Sequence, residues 1–341
     1  MSISEPAARP AIMHDVARLA GVSHQTVSRV LNGHPNVRPD TRERVLQAIR
    51  QLNYRPNALA RGLVTRRSRT IGVISFDTRL FGPASTLLAI EHAARVAGYA
   101  VTISSLADLD ASSVRSAVAA LAAQPVDGAI VIAPREGAAQ GLRDLRPGLP
   151  LVAVEAGYGG ETPVVSVDQF GGAQLATEHL LSLGHRTVWH IAGPADWLEA
   201  RERIEGWRAS LADAGAAAPP LRRGDWSPES GYRAGLELAE RPEVTAVFAA
   251  NDQMALGAMH AFHERGMRVP ADVSIVGFDN IPESPFLIPS LTTVYQDFDE
   301  VGRRGLQLLV DIMHGDPEQV ELPGRVQAAL VTRQSSAPPV R

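Results

Sequence analysis

Asp15-Val16-Ala17-Arg18-Leu19-Ala20-Gly21-Val22-Ser23-His24-Gln25-Thr26-Val27-Ser28-Arg29-Val30-Leu31-Asn32 decides how the rest of this chain is read. Apolar residues recur at helical spacing on both sides of Gly21, which predicts two short amphipathic helices joined by a tight turn. That is the pattern of a helix-turn-helix, whose second helix lies in a DNA major groove. In the second helix, Ser23 to Asn32, Val27, Val30 and Leu31 share one face. They are expected to pack on Val16, Leu19 and Ala20 of the first. Gln25 and Arg29 point away from that stripe, with His24 and Ser28 on one side and Thr26 on the other. Ser23 is a natural N-cap. An Arg forks onto guanine and a Gln pairs with adenine, so the outward face suits base edges. Ser23, Thr26 and Asn32 suit phosphate oxygens. An ordinary amphipathic surface helix has the same periodicity, so the pattern by itself leaves both readings open. A third helix is expected from Pro39 to Asn53, with Pro39 at its first position and Val45, Ile49 and Leu52 facing inward.

Charge separates the two ends of the chain. Residues 1–69 contain 12 Arg against Glu5, Asp15, Asp40 and Glu43, a balance of +8. All 341 residues together carry −4, so residues 70–341 carry −12. A basic head on an acidic body points to a polyanion that meets the head alone. The chain has no cysteine, which excludes disulfides, a thiol nucleophile and zinc–thiolate sites. Its length allows two or three domains with sizeable cores. No window approaches the roughly 18 consecutive apolar residues of a membrane span, and Met1 to Ala11 lack the apolar run of a secretory signal. A cytoplasmic protein with no membrane partner is expected.

The strings Asp15-Val16-Ala17, Ala20-Gly21-Val22-Ser23, Thr26-Val27-Ser28-Arg29-Val30-Leu31-Asn32 and Leu52-Asn53-Tyr54-Arg55-Pro56-Asn57 resemble those of the lactose-repressor (LacI/GalR) family of bacterial regulators. The resemblance implies that His24, Gln25 and Arg29 read bases, with Ser23, Thr26, Ser28 and Asn32 beside them. Ile12 stands where many members cap the first helix with Thr, so a less firm helix start is expected there. Asn57-Ala58-Leu59-Ala60-Arg61-Gly62-Leu63 is too short for a helix to persist alone and reads by itself as a flexible linker. The resemblance implies instead a hinge helix that orders on operator DNA. Asn57 stands at its start, Ala60 packs closely on its twin, and Leu63 enters the minor groove as a wedge. Paired hinges imply a homodimer on a near-palindromic double-stranded operator.

From Thr70 onward, short β-rich runs alternate with helical ones. Strands are expected at 70–76, 100–104, 128–132, 151–154, 187–191, 246–249 and 274–278. Helices are expected at 84–97, 112–123, 170–183, 200–214, 228–239, 252–265 and 299–314. Such alternation predicts doubly wound parallel sheets, and this length accommodates two. Ligands of open parallel sheets gather beyond the carboxyl ends of strands. Phe76, Glu155, Asn251 and Asp279 each follow or end a predicted strand, which brings two carboxylates, an amide and an aromatic toward one cleft. Taken singly, each could equally be a helix cap or a loop residue. Together they suit vicinal hydroxyls and the apolar face of a pyranose.

The family resemblance continues through the body, for example in Ala250-Asn251-Asp252-Gln253-Met254-Ala255-Leu256-Gly257-Ala258 and Asp272-Val273-Ser274-Ile275-Val276-Gly277-Phe278-Asp279. It implies a periplasmic-binding-protein-like pair of subdomains joined by three crossovers. It also implies effector contacts at Glu155, Arg203, Trp226, Asn251, Asp279 and Gln296, with Phe76, Leu80, Phe81, Pro83 and Phe298 on the apolar side. Glu155 replaces the aspartate of the family's namesake, and Trp226 leans toward a sugar over a purine.

The expected fold is therefore an all-α helix-turn-helix head plus an α/β body of two doubly wound parallel-sheet subdomains. The expected boundaries are a disordered tail at 1–11, the DNA-binding domain at 12–56 and hinge and linker at 57–69. The effector-binding and dimerisation domain spans 70–335, with an N-subdomain at about 70–167 and 296–325 and a C-subdomain at about 168–295 and 326–335, followed by a tail at 336–341. No Gly-x-Gly-x-x-Gly or Gly-x-Ser-x-Gly occurs, and His260 and His263 lack metal-site spacing, so no enzyme, cofactor or metal is expected. The expected function is a sequence-specific repressor released by a small-molecule effector, a sugar. The alternatives are a regulator corepressed by a purine or another metabolite and, from a different class, a sugar-binding protein without DNA function.

Overall fold

The computed structural model describes residues 11–31, 34–54, 67–108, 110–143, 145, 148–155, 162–315 and 324–340. The chain divides into two compact units, residues 1–68 and residues 69–341. Asn32, Asn57, Ala60 and Leu63 lie outside the described residues, and with them most of the expected hinge.

The head contains α1 (Met13–Ala20), α2 (His24–Leu31) and α3 (Pro39–Gln51). Gly21 ends α1 in the left-handed region (φ 63°), a conformation that costs glycine no Cβ clash. Its backbone N–H returns to the carbonyls of Ala17 and Arg18. Ile12 occupies the N-cap of α1 and offers no side-chain acceptor. The Asp15 carboxylate instead accepts the Ile12 backbone N–H at 3.1 Å, so one half of a capping box fixes the helix start. Val16, Ala17, Ala20, Val27, Val30, Val45, Ala48 and Tyr54 form the miniature core. Two expectations are corrected here. Leu19 is exposed rather than buried, because the small side chains of Ala17 and Ala20 set the seam and turn Leu19 outward. The third helix ends at Gln51, two residues short of Asn53, with Leu52 at its C-cap.

The body holds two sheets. The first has the order β2-β1-β3-β4-β5, from β1 (Thr70–Phe76), β2 (Ala100–Leu106), β3 (Gly128–Ile132), β4 (Leu151–Val154) and β5 (Val164–Val165), all parallel. Every residue of β3 and β4 is buried, as expected of strands covered on both faces. Helices α4 (Phe81–Val96), α5 (Ala111–Ala122) and α6 (Glu136–Arg143) cover it. Ile71, Ile90, Ile130, Val152 and Leu309 pack in the core on one face, and Ile74, Val118, Leu121 and Val131 on the other.

The second sheet has the order β11-β10-β9-β8-β6-β7. Its strands are β6 (Trp189–Ala192), β7 (Arg222–Arg223), β8 (Ala246–Ala249), β9 (Ser274–Asp279), β10 (Thr292–Tyr295) and β11 (Ala329–Val331). Helices α7 (Gln169–Ser182) and α8 (Leu198–Asp213) cover one face, where Phe248, Phe278 and Trp207 pack. Helices α9 (Pro228–Ala239) and α10 (Asp252–Glu264) cover the other, with Val247, Ile275 and Phe262. At Gly257 a Cβ would overlap the Pro228 carbonyl, so α9 and α10 meet backbone to backbone. The sheet is not wholly parallel, because β11 runs antiparallel to β10.

Three crossovers link the sheets. Two lie side by side, where Asp168 N–H donates to the Val326 carbonyl at 2.8 Å and Val326 N–H donates to the Ser166 carbonyl at 2.9 Å. Helix α11 (Phe298–His314) returns to the first sheet, and its Val301, Leu306 and Leu309 join that sheet's core.

The tail expected at 336–341 is fastened at its start, following on from a buried Ser335 at the end of the body. Ser335 Oγ donates to the Ile275 carbonyl at 2.6 Å, and Ser335 is fully buried. Ser336 Oγ bonds His179 Nε2 at 2.8 Å, and the Ala337 carbonyl meets both Ser274 Oγ and His185 Nε2. Residues 335–337 are thus fastened across the strand ends. Short polar residues in a Pro-rich end resemble a tail in composition, but here their hydroxyls and carbonyls complete buried hydrogen bonds.

Candidate functional site

On the head, α2 turns His24, Gln25 and Arg29 to solvent, while Thr26 and Ser28 are half-buried. Ser23 caps the helix: its Oγ accepts the Thr26 backbone N–H at 3.2 Å and lies 2.9 Å from Thr26 Oγ1. That occupies the inner side of Ser23 and leaves its exposed side outward. Val27 and Val30 anchor the opposite face, so Gln25 and Arg29 stand together on the outer one.

In the body, a cavity of about 230 Å3 opens between the two sheets. Its apolar side is Leu80, Phe81, Pro83 and Phe298, and its polar side includes Arg203, Asn251, Asp279 and Gln296, with Trp226 across. Helix α4 begins at Phe81, three residues before the expected Ala84, which places Phe81 and Pro83 in its first turn and into the wall. Phe81 meets Phe298 edge to face at 5.9 Å, and Trp197 meets Trp226 in the same way at 5.4 Å. Phe76 and Glu155, both expected in the wall, stand behind it: neither lines the cavity. Phe76 packs against the sheet cores with the Arg135 guanidinium 5.7 Å over its ring. Glu155 is buried at the end of β4.

The polar wall is a closed ring of bonds. Arg203 Nε donates to Gln169 Oε1 at 2.8 Å, Gln169 Nε2 donates to Gln296 Oε1 at 2.7 Å, and Gln296 Nε2 donates to Asp279 Oδ1 at 2.7 Å. Arg203 Nη2 closes the ring 3.7 Å from Asp279 Oδ1. Arg203 Nη1 also donates to the Ala250 carbonyl, and the guanidinium lies 3.8 Å over the Phe278 ring. Asn251 caps α10 through Oδ1, which accepts the Met254 N–H at 2.9 Å, and its Nδ2 donates to the Trp226 carbonyl at 3.1 Å. It is therefore helix cap and cavity wall at once.

Electrostatics follow from one buried cation among several carboxyls. Burial pushes the Asp279 carboxyl up to about 8, with Arg203 opposing and Asp252 and Glu199 reinforcing the rise. Burial, then the neighbouring Glu199, raises the Glu155 carboxyl well above the ordinary range. Glu155, Trp226 and Asp279 all have positive φ (56°, 75° and 104°). Non-glycine residues are rare there, and such strain gathers at ligand sites. Sequence reading missed Arg79, Trp197, Glu199 and Gln253 in the wall. Glu199 carried a usable signal, since it stands one helical turn before Arg203.

Among the described residues no group of three or more side chains is arranged to hold a metal ion, and no helix is long and apolar enough to cross a membrane.

Residues 12–57 match the bacterial regulatory proteins, lacI family, and residues 177–336 match the periplasmic binding protein-like domain. The chain is 36% identical to the lactose operon repressor of Escherichia coli (strain K12), over 97% of this chain and 92% of that one. It is 35% identical to the HTH-type transcriptional repressor PurR of Haemophilus influenzae (strain PittEE), over 95% of this chain and 98% of that one. The crystal structure of the lac repressor dimer bound to operator and the anti-inducer ONPF has a TM-score of 0.87 to this chain at 35% identity, covering 96% of this chain and 100% of that one. A helix-turn-helix head, a two-sheet body with a cleft and this end-to-end likeness lead to one conclusion: the chain belongs to the lacI family of bacterial regulatory proteins and is a DNA-binding transcriptional repressor regulated by a small-molecule effector.

Proposed function

We propose that a homodimer of this chain acts in the cytoplasm, holds a near-palindromic operator through paired heads, and is released when a sugar fills the cleft of the body. The observation that carries the effector class is the wall itself. Carboxylate, guanidinium and amide groups face it from one side and four aromatic rings from the others, which suits hydroxyls and ring C–H faces together. At about 230 Å3 the cavity lies below the roughly 300–1,000 Å3 of sites for drug-sized ligands, so one sugar ring is the size it accommodates. His24, Gln25 and Arg29 are proposed to read bases, with Ser23, Thr26, Ser28 and Asn32 on or beside phosphates. Asn57, Ala60 and Leu63 are proposed to form the hinge that kinks the operator.

Release requires that the ligand bind the DNA-free arrangement of the body more tightly than the DNA-bound one. The experiment is a fluorescence anisotropy titration of full-length protein on operator fragments selected from genomic DNA, repeated across a panel of monosaccharides and purines. A sugar that weakens operator binding at least tenfold supports the reading. If only purines change the affinity, and raise it, the corepressor alternative stands instead.

A further inference from the structure

We infer that an ionic clasp outside the cavity holds the two subdomains at the separation the effector needs, with Arg135, Glu136, Asp196 and Arg201 as its positioning residues. The inference rests on the sugar reading above and adds what sets the affinity of that site.

The clasp is a short antiparallel pairing between the subdomains, made apart from the three crossovers. Arg135, in the segment after β3 of the first sheet, stands opposite Trp197, in the segment after β6 of the second. Glu136 N–H donates to the Asp196 carbonyl at 3.0 Å, and Leu198 N–H donates to the Pro134 carbonyl at 2.9 Å. Charges cross the same seam in both directions. Arg135 Nε donates to Asp196 Oδ2 at 2.6 Å, and Arg201 Nη2 donates to Glu136 Oε2 at 2.6 Å. Arg201 is aimed by the Ala195 carbonyl, which accepts its Nε–H at 2.7 Å. Each subdomain thus offers one cation and one carboxylate. A slip in register would bring like charges together, which opposes pairing.

Trp197 ties this seam to the cavity. Its backbone pairs with Arg135, while its ring is buried in the cavity wall against Trp226. Leu198 then starts α8, the helix that carries Arg203 to the polar wall. The apolar wall comes from the other subdomain through Leu80, Phe81 and Pro83. A ligand that touches both walls binds tightly only while the subdomains stand at this separation. Contacts that hold them there raise its affinity by keeping the competent arrangement populated. The four clasp side chains do this without lining the cavity. Their ion pairs are half-exposed, and each such pair shifts an equilibrium by no more than about fivefold. That suffices to bias the subdomains and still lets them part.

Isothermal titration calorimetry on the full chain at one fixed salt concentration tests this, with D-glucose, D-galactose, D-mannose and D-xylose as probes. For the sugar that binds the wild type best, Arg135→Ala and Arg201→Ala should each weaken binding about two- to fivefold. Arg135→Asp sets two carboxylates face to face and should weaken it by about tenfold or more. Adding Asp196→Arg to that variant should restore the affinity to within about twofold of the wild type, a recovery that lost packing alone would not give. Variants that bind as tightly as the wild type, or a double variant that recovers nothing, overturn the inference and leave the sugar reading standing. No binding of any of these sugars to the wild type overturns both. Arg201→Ala reads the second ion pair by itself should a variant at Arg135 fail to fold.

Discussion

Arg203 is the residue on which the cleft's polar wall depends. It is 2% exposed, stacked on Phe278 and bonded on three sides, yet it faces more carboxyl groups than it can neutralise. Burial, against the opposing pull of Arg203, lets Asp279 keep its proton up to about pH 8 in the fold, whereas an unfolded aspartate releases it near 3.9. Between those values the folded chain holds more protons than the unfolded one. This contribution to stability is therefore complete below about pH 4 and is lost as pH rises through about 8. The ligand-free body is expected to melt at lower temperature at pH 9 than at pH 7, and Asp279→Asn should flatten that decline. Thermal denaturation followed by circular dichroism at the two values checks it; an unchanged slope in the variant would assign the decline elsewhere. On the head, Arg29→Ala should cost about 1–3 kcal/mol and relax discrimination at one base pair. Competition binding with cognate and singly mismatched operators measures this, and equal losses on all of them would remove Arg29 from base reading.

Elements with strong periodicity were the most legible ones. The strands at 70–76, 128–132, 151–154 and 246–249 and the helix at 228–239 coincide with the expected ranges. The strands are short apolar runs with sharp boundaries and the helix is a longer segment opened by Pro228, so length and flanking residues separate the two classes. The short pieces were not legible: β5 and β7 have two residues each, and the buried face of α6 is made mostly of small residues, Ala138, Ala139 and Gly141, which carry little apolar signal. The wall of the cleft was partly legible for a related reason. Strand ends pointed to Asn251 and Asp279, but Trp197 and Glu199 enter through the start of a helix, where no alternation marks them. Glu155 shows the opposite case, a strand-end residue that burial draws behind the wall. Leu19 shows that an apolar residue on a short helix need not join the core when smaller neighbours set the packing distance. Backbone contact between α9 and α10 at Gly257 gives a test at this scale. Gly257→Ala should destabilise the body by about 1–3 kcal/mol, because the two helices must separate to admit a methyl group. The urea unfolding midpoint checks it, and an unchanged midpoint would mean that the contact yields freely.

At the scale of the whole molecule, charge is partitioned by role. A head of +8 and a body of −12 lead to different ionic-strength behaviour for the two ligands. Each phosphate neutralised contributes about −0.9 to the slope of log affinity against log salt, and a protein contacting 6–10 phosphates loses roughly 10^3–10^5 in affinity between 50 and 200 mM. Operator affinity is expected to fall at least a hundredfold over that range, while effector affinity, set in a buried cleft, changes little. Anisotropy and calorimetry at the two salt concentrations measure both. A comparable fall in both affinities would place the effector on the exposed surface instead.

The ring that links Arg203, Gln169, Gln296 and Asp279 has a mechanical meaning. Gln169 opens α7 directly after one crossover, and Gln296 sits on the next, two residues before α11. Their bond at 2.7 Å therefore ties together two of the three crossovers that link the sheets. A ligand held by Asp279 or Arg203 would bear directly on that bond, and so on both crossovers at once.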